Sequence, residues 1–281
     1  TTSTVTVDLS GVVADTTNQS AVTIDIDAEV TNEVSVTGSK GSNDTVNIDG
    51  AVNYSTNGLV LSGVEKVTVD DNVTMDASTI SGQTIEFTGV SNDVVTLNGT
   101  ASADTIDLED ITTGGTGAAT TAILTTIDAG VGADTITVTT GALLVDTIKI
   151  DDGDTGAWNI DAANAKVAST ANFDVITGLA AGDKIDLTGA VETQADYDTF
   201  TTAAAAADLT ATATTNTIAQ FIGTYDSAAG TFTSDATGDD LMLAFNGADA
   251  ADTTVDSAFI LVGMTNVLAD GEITDGVITI A

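Results

Sequence analysis

Over the first 150 residues, apolar side chains recur at every second position in short bursts. Val5-Thr-Val-Asp-Leu9, Val22-Thr-Ile-Asp-Ile26, Val34-Ser-Val36, Leu59-Val-Leu61 and Val67-Thr-Val69 have this form. So do Thr84-Ile-Glu-Phe87, Val94-Val-Thr-Leu97 and Ile136-Thr-Val138. A period of two sends successive side chains to opposite faces of an extended chain, so each burst predicts a strand with one buried face. Gly, Asn, Asp and Ser separate the bursts, with Asn57-Gly58 and Asn98-Gly99 as turn signals. Regular short strands without a helical period predict a sandwich, a barrel or a β-solenoid. The chain has no Pro, which is compatible with long uninterrupted ladders, because Pro would remove a backbone donor.

Beyond Asp151-Asp-Gly-Asp154 the texture changes, and almost all the aromatics lie there. Lys184-Ile-Asp-Leu187 predicts a strand, followed by one helix over Glu192 to Asp208, where an Ala203–Ala207 run favours that state. Three further strands are expected at Thr231-Phe-Thr233, Asp240-Leu-Met-Leu-Ala-Phe245 and Ala258-Phe-Ile-Leu-Val262. The expectation is a mainly β chain. Residues 1–150 form an irregular, solenoid-like first half, and residues 151–281 a compact, mostly β C-terminal domain with one helix.

Charge narrows the function classes. The chain carries 42 acidic residues against five Lys, a net charge of −37, and lacks Arg, His and Cys. Disulfides, Cys or His zinc sites, Ser-His-Asp and Cys-His nucleophiles and arginine clamps on phosphate are thereby excluded. Nucleic acid, which is bound through Lys and Arg, is excluded as a partner. No apolar run approaches the roughly 20 residues of a membrane-spanning helix. With 42% hydrophobic residues the chain is not of disordered composition. Of the acids 35 are Asp, a residue of turns and of oxygen-rich cation sites. Bound cations would relieve the mutual repulsion of so many carboxylates; adaptation to high salt is the rival explanation.

One segment carries specific chemistry. Gly130-Val-Gly-Ala-Asp-Thr-Ile-Thr-Val138 fits the calcium-binding nonapeptide G-G-x-G-x-D-x-U-x, read from Ala129, at every defined position but the first Gly. Gly130 and Gly132 let the turn backbone adopt conformations closed to other residues, and Asp134 adds carboxylate oxygen for a hard cation. Looser copies place Asp44, Asn92, Asp93, Asp104 and Asp146 in similar turns, and Asp128 lies immediately before the nonapeptide. These copies are unevenly spaced. The candidate calcium ligands are therefore Asp134, Gly130, Gly132, Asp128, Asp104, Asp93, Asn92, Asp44 and Asp146. Asp is equally a good turn residue, so simple turns are the competing reading. Asp151, Asp152 and Asp154 read either as another cation loop or as a solvated acidic turn.

The nonapeptide, together with Phe173-Asp-Val-Ile-Thr-Gly-Leu-Ala-Ala-Gly-Asp-Lys-Ile-Asp-Leu187, resembles bacterial proteins of the repeats-in-toxin type exported by type I secretion, especially their surface-layer members. Asp240–Gly247, Asp256–Gly263 and the turns around Gly63–Val69 and Asp76–Gly82 are more weakly similar. The resemblance implies calcium binding, an uncleaved C-terminal export signal and folding outside the cell. The leading expectation is a calcium-dependent, self-assembling subunit of a surface layer, a homo-oligomer at the cell surface that also contacts cell-surface polysaccharide. The alternatives are a calcium-binding adhesin or biofilm-matrix protein, and the non-catalytic C-terminal part of a secreted enzyme. Catalysis is not expected, since no acidic pair stands out among 42 and aromatic platforms for sugar are scarce.

Overall fold

A computed structural model of the protein describes residues 4–12, 21–27, 32–41, 43–56, 58–89, 93–113, 124–139, 145–151, 153–155, 167–169, 173–190, 200–202, 218–245 and 257–281. The chain is mainly β, and among the described residues helix is confined to the 3-10 turns Ala77–Thr79 and Asp270–Glu272. No helix among them is long and apolar enough to cross a membrane. The chain divides into two compact units. The first comprises Thr1–Gly99, Asp107–Asp128 and Thr139–Asp146; the second comprises Thr100–Ile106, Ala129–Val138 and Thr147–Ala281.

The first unit is built from parallel strands in three sets. Thr4–Asp8 pairs with Glu33–Thr37, which pairs with Leu59–Ser62. Thr23–Asp27, Thr45–Asp49, Lys66–Val69, Glu86–Gly89 and Thr112–Thr113 form the second set. Val52–Asn53, Val73–Asp76, Val94–Asn98 and Leu124–Asp128 form the third. Paired strands within a set lie from 20 residues apart (Lys66 to Glu86) to 30 apart (Val94 to Leu124), and side chains join them, as at Thr68–Thr88 and Asn72–Val94. The alternation in sequence explains the packing. Val46, Val67 and Phe87 occupy one register and are all buried, as are Met75, Leu97 and Ile127. The intervening Thr, Asn and Asp face outward, with Thr68 and Thr88 hydroxyls 2.9 Å apart.

Tyr54 departs from this economy. It is fully buried, its amide donates to Thr74 O at 2.7 Å, and its hydroxyl has no hydrogen-bond partner. Burial, assisted by the charge of Asp27, pushes its phenol up to about 12. Tyr54→Phe should therefore leave folding stability unchanged or raise it by up to about 1–3 kcal/mol, because an unpaired buried hydroxyl carries a desolvation cost. Urea unfolding of both proteins checks this. A loss of more than about 1 kcal/mol would show that the hydroxyl is paired.

The second unit begins with parallel strands and turns antiparallel. Thr135–Thr137 pairs with Asp174–Thr177, which pairs with Ser257–Val262, all parallel. Asp240–Phe245, Ile218–Asp226, Thr231–Ser234 and Val167–Ser169 then follow as antiparallel neighbours. A shorter set joins Thr147 and its neighbours to Lys184–Gly189, Val277–Thr279 and Ile273–Thr274. The unbroken apolar run Leu241-Met-Leu-Ala-Phe245 is buried along its whole length, as expected of a strand covered on both faces. Phe173, Phe221, Phe232, Met242 and Ile260 belong to one core cluster. The Phe245 and Phe259 rings meet edge to face at 6.1 Å.

The helix expected over Glu192 to Asp208 is corrected at Phe200–Thr202. That segment is a strand paired in parallel with Ile218–Gln220, as suits an aromatic followed by two β-branched residues. The remainder of the segment lies outside the described residues.

Candidate metal centre

The nonapeptide turn directly precedes the Thr135–Thr137 strand of the second unit. Gly130 has φ +79°, and a Cβ there would lie 2.4 Å from Thr100 O. At Gly132 a Cβ would lie 2.8 Å from Asp134 Oδ1 and 2.9 Å from the Ala103 amide nitrogen. Both glycines thus admit a close approach of the preceding coil, and Gly132 lets the Asp134 carboxylate fold back against its own turn.

Asp134 is completely buried. Its Oδ1 accepts the Asp104 amide at 2.7 Å, while its Oδ2 is buried with no hydrogen-bond partner. On the next parallel strand the pattern recurs. Asp174, also completely buried, accepts the Asp134 amide on Oδ1 at 2.9 Å, and its Oδ2 has no hydrogen-bond partner. Backbone bonds run beside these contacts, from Thr135 N–H to Asp104 O (2.9 Å) and from Val175 N–H to Asp134 O (2.8 Å). Each aspartate stands just before a strand, so parallel pairing stacks Asp104, Asp134 and Asp174 into one rank. The rank ends at Asp104, whose Oδ2 turns back to accept the Thr100 amide (2.6 Å) and hydroxyl (2.8 Å).

Asp154 lies against this rank. It is 6% exposed, its carbonyl accepts the Gly132 amide at 3.1 Å, and its Oδ2 accepts the Asp151 amide at 2.5 Å. Carboxylate oxygens of Asp151 and Asp154 come within 4.8 Å of each other, close enough to share a metal ion. Asp151 is also ion-paired with Lys149.

The electrostatics follow from burial. Desolvation pushes Asp134 up to about 6; the Asp104 amide opposes this, and the charges of Asp104 and Asp154 add to it. Desolvation pushes Asp174 up to about 8, opposed by the Asp134 amide and reinforced by the charges of Asp134 and Asp154. Three buried acids therefore repel one another, and either protons or a hard cation can relieve them.

The other expected ligands are placed differently. Asp44, 1% exposed, accepts the Val22 amide on Oδ1 (3.1 Å) and the Ser39 amide and hydroxyl on Oδ2 (2.6 and 2.7 Å). Its own amide donates to Glu65 Oε2 at 2.9 Å, so Glu65 plays toward Asp44 the part that Asp134 plays toward Asp104. Asp146 Oδ2 accepts the Thr139 amide and hydroxyl at 3.0 and 2.7 Å. Asp93 Oδ2 lies against Gly89, 3.3 Å from where its Cβ would be. Asp128 ends its strand in the first unit, its carbonyl accepting the Gly99 amide at 2.7 Å. Asn92 lies outside the described residues. Thus Asp104 and Asp134 come together with Gly130 and Gly132, whereas Asp44 and Asp146 sit in separate turns of the first unit.

No protein-family model, no curated protein and no solved structure matches the chain. What the site can do is therefore carried by its geometry. Its donors are carboxylate and carbonyl oxygen, the set that suits a hard divalent cation and not a soft one. Asp174 was not among the expected ligands. Its signal was present, since Asp174-Val-Ile-Thr177 repeats the form of Asp134-Thr-Ile-Thr137.

Proposed function

We propose that the protein is a structural, extracellular one: a calcium-dependent, self-assembling subunit of a bacterial surface layer, with a β-solenoid as its first part. The single observation that most supports this reading is the buried Asp134–Asp174 pair, with one oxygen of each left unpaired. Calcium would satisfy those oxygens where protein donors do not. The parallel circuits of the first unit support the solenoid, and carboxylates such as Asp44 and Asp146, engaged with turn amides, support a structural role over a catalytic one. The net charge of −37 makes association of copies dependent on neutralisation. Type I secretion, a C-terminal export signal and contact with cell-surface polysaccharide belong to the same reading through the resemblance of residues 130–138 and 173–187.

Calcium should convert the metal-free chain from dispersed particles into ordered polymers. Light scattering and negative-stain microscopy during addition of calcium chloride, with sodium chloride matched for ionic strength, check this. Regular arrays with calcium alone are expected. Equal assembly in sodium chloride would reduce the effect to charge screening, and a calcium-bound monomer at high concentration would favour an adhesin or a secreted-enzyme appendage.

A further inference from the structure

We infer that Asn53 is the acceptor for an N-linked sugar, attached by a glycosyltransferase that draws on a phosphate-activated sugar donor. This rests on the extracellular part of the reading above, since Asn-x-Ser/Thr acceptors belong to exposed segments of secreted proteins.

Five such triplets occur, at Asn18, Asn43, Asn53, Asn72 and Asn98, and a chain so rich in Thr produces several by chance. Their surroundings separate them. Asn53 is exposed, and its Oδ1 accepts both the amide of Ser55 (2.9 Å) and its hydroxyl (2.6 Å). The triplet is thus closed on itself. Two hydrogen bonds into the amide oxygen polarise the group and make its Nδ2 hydrogens more acidic. Among the described residues no hydrogen bond takes up Nδ2 itself. The middle residue fixes the frame: Tyr54 is fully buried, its amide donates to Thr74 O and its carbonyl accepts the Gly58 amide, both at 2.7 Å. Successive strand side chains point to opposite faces, so burial of Tyr54 sends Asn53 outward. Val52–Asn53 pairs with Val73–Asp76 on one side and has no strand on the other among the described residues. A sugar here displaces no buried side chain and stands at an open sheet edge, where its bulk hinders pairing with a further strand. The other triplets differ. Asn72 gives Oδ1 to the Val94 amide at 2.9 Å, on a strand paired on both sides. Thr100 gives its amide and hydroxyl to Asp104. Thr45, the third residue after Asn43, already belongs to a strand, its amide bonded to Val22 O at 2.7 Å. Asn18 lies outside the described residues. The step itself is a substitution at the anomeric carbon of the donor sugar. Asn53 Nδ2 forms the C–N bond as the bond from that carbon to the phosphate oxygen breaks. The phosphate leaves with the electron pair, and one Nδ2 proton passes to a base of the transferase. In a self-assembling chain, contacts between copies then have to leave this edge uncovered.

The test is mass spectrometry of the full-length protein isolated from the cell that makes it, intact and after proteolysis. The peptide carrying Asn53 should be heavier than its sequence by whole sugar residues. Asn53→Gln should abolish that addition. Ser55→Ala keeps the acceptor amide but removes the hydroxyl, and it should abolish the addition too, which a sugar attached elsewhere on the peptide would survive. Asn72→Gln should leave it in place. Should Asn53→Gln fail to accumulate, Ser55→Ala carries the same prediction. An Asn53 peptide at its unmodified mass overturns the assignment, and so does sugar confined to the other triplets. Either result leaves the surface-layer reading standing if the same protein forms arrays with calcium. A sugar-bearing protein that calcium does not assemble overturns that reading and leaves the assignment of Asn53 intact.

Discussion

Stripped of divalent metal, the protein should become more stable as pH falls from about 8 to about 5. Asp134 and Asp174 ionise at about 6 and about 8 in the folded chain, above the 3.8 of an unburied aspartate. Between those values the folded state binds more protons than the unfolded one, so acidification favours folding. The stabilisation is complete below about 3.8 and is lost as pH rises through the folded values. Its slope is at most about 1.4 kcal/mol per pH unit for each group within its window. The general repulsion of a −37 chain has the same sign, so a control must separate the two. Asp174→Asn does this by removing the buried group while leaving the rest of the charge in place. Urea midpoints at pH 8, 6.5 and 5 should rise steadily for the wild type, and flatten between pH 8 and 6.5 for the variant. Saturating calcium should reverse the wild-type trend, because the cation then competes with protons for the same oxygens. A metal-free profile that is flat or climbs toward pH 8 would show that these carboxylates are not held desolvated.

The strands were legible because their signal is local. Asp240–Phe245 is found where the apolar run predicts it, and Val94–Asn98 and Ser257–Val262 differ from expectation by one residue at one end. The spacing of paired strands was not legible, because register is set by contacts between distant residues. The rank of aspartates spans separations of 30 residues from Asp104 to Asp134 and 40 from Asp134 to Asp174, and paired strands of the first unit lie from 20 apart (Lys66 to Glu86) to 30 apart (Val94 to Leu124). A search for a repeat of nine or eighteen residues therefore sees only scattered turns. The distinction between an aspartate with both oxygens bonded and one with an oxygen buried without a donor was hidden for a related reason. Asp44 and Asp134 both precede Thr and an apolar residue, yet Asp44 has both oxygens bonded whereas Asp134 keeps Oδ2 buried without a donor, a difference that residues distant in sequence decide. The strand Phe200–Thr202 illustrates the limit of propensity: a long-range partner at Ile218–Gln220 prevails over a helix-favouring Ala run a few residues away.

Gly130→Ala should be among the most damaging single-methyl changes in the chain. Two separate effects meet at this position. With φ at +79° the backbone occupies the left-handed region, where a side chain costs about 1–2 kcal/mol. In addition, the new Cβ would stand 2.4 Å from Thr100 O, a backbone atom that cannot rotate away, so the coil itself must move. Gly82 isolates the first effect. Its φ is +68° and nothing lies within 4 Å of where its Cβ would be. Gly82→Ala should therefore lose only the backbone cost, whereas Gly130→Ala should lose about 3 kcal/mol or more once overpacking is included. The displacement in Gly130→Ala also carries the Asp104–Asp134 contact with it, since Thr100 is bonded to Asp104 and Asp104 to Asp134. Calcium affinity should fall in that variant and be retained in Gly82→Ala. Urea unfolding in metal-free buffer and calorimetric titration of the two folded variants measure both consequences. Equal losses of stability with equal calcium affinity would mean that the approach of the nonapeptide turn to Thr100 is not what holds the carboxylate rank in place.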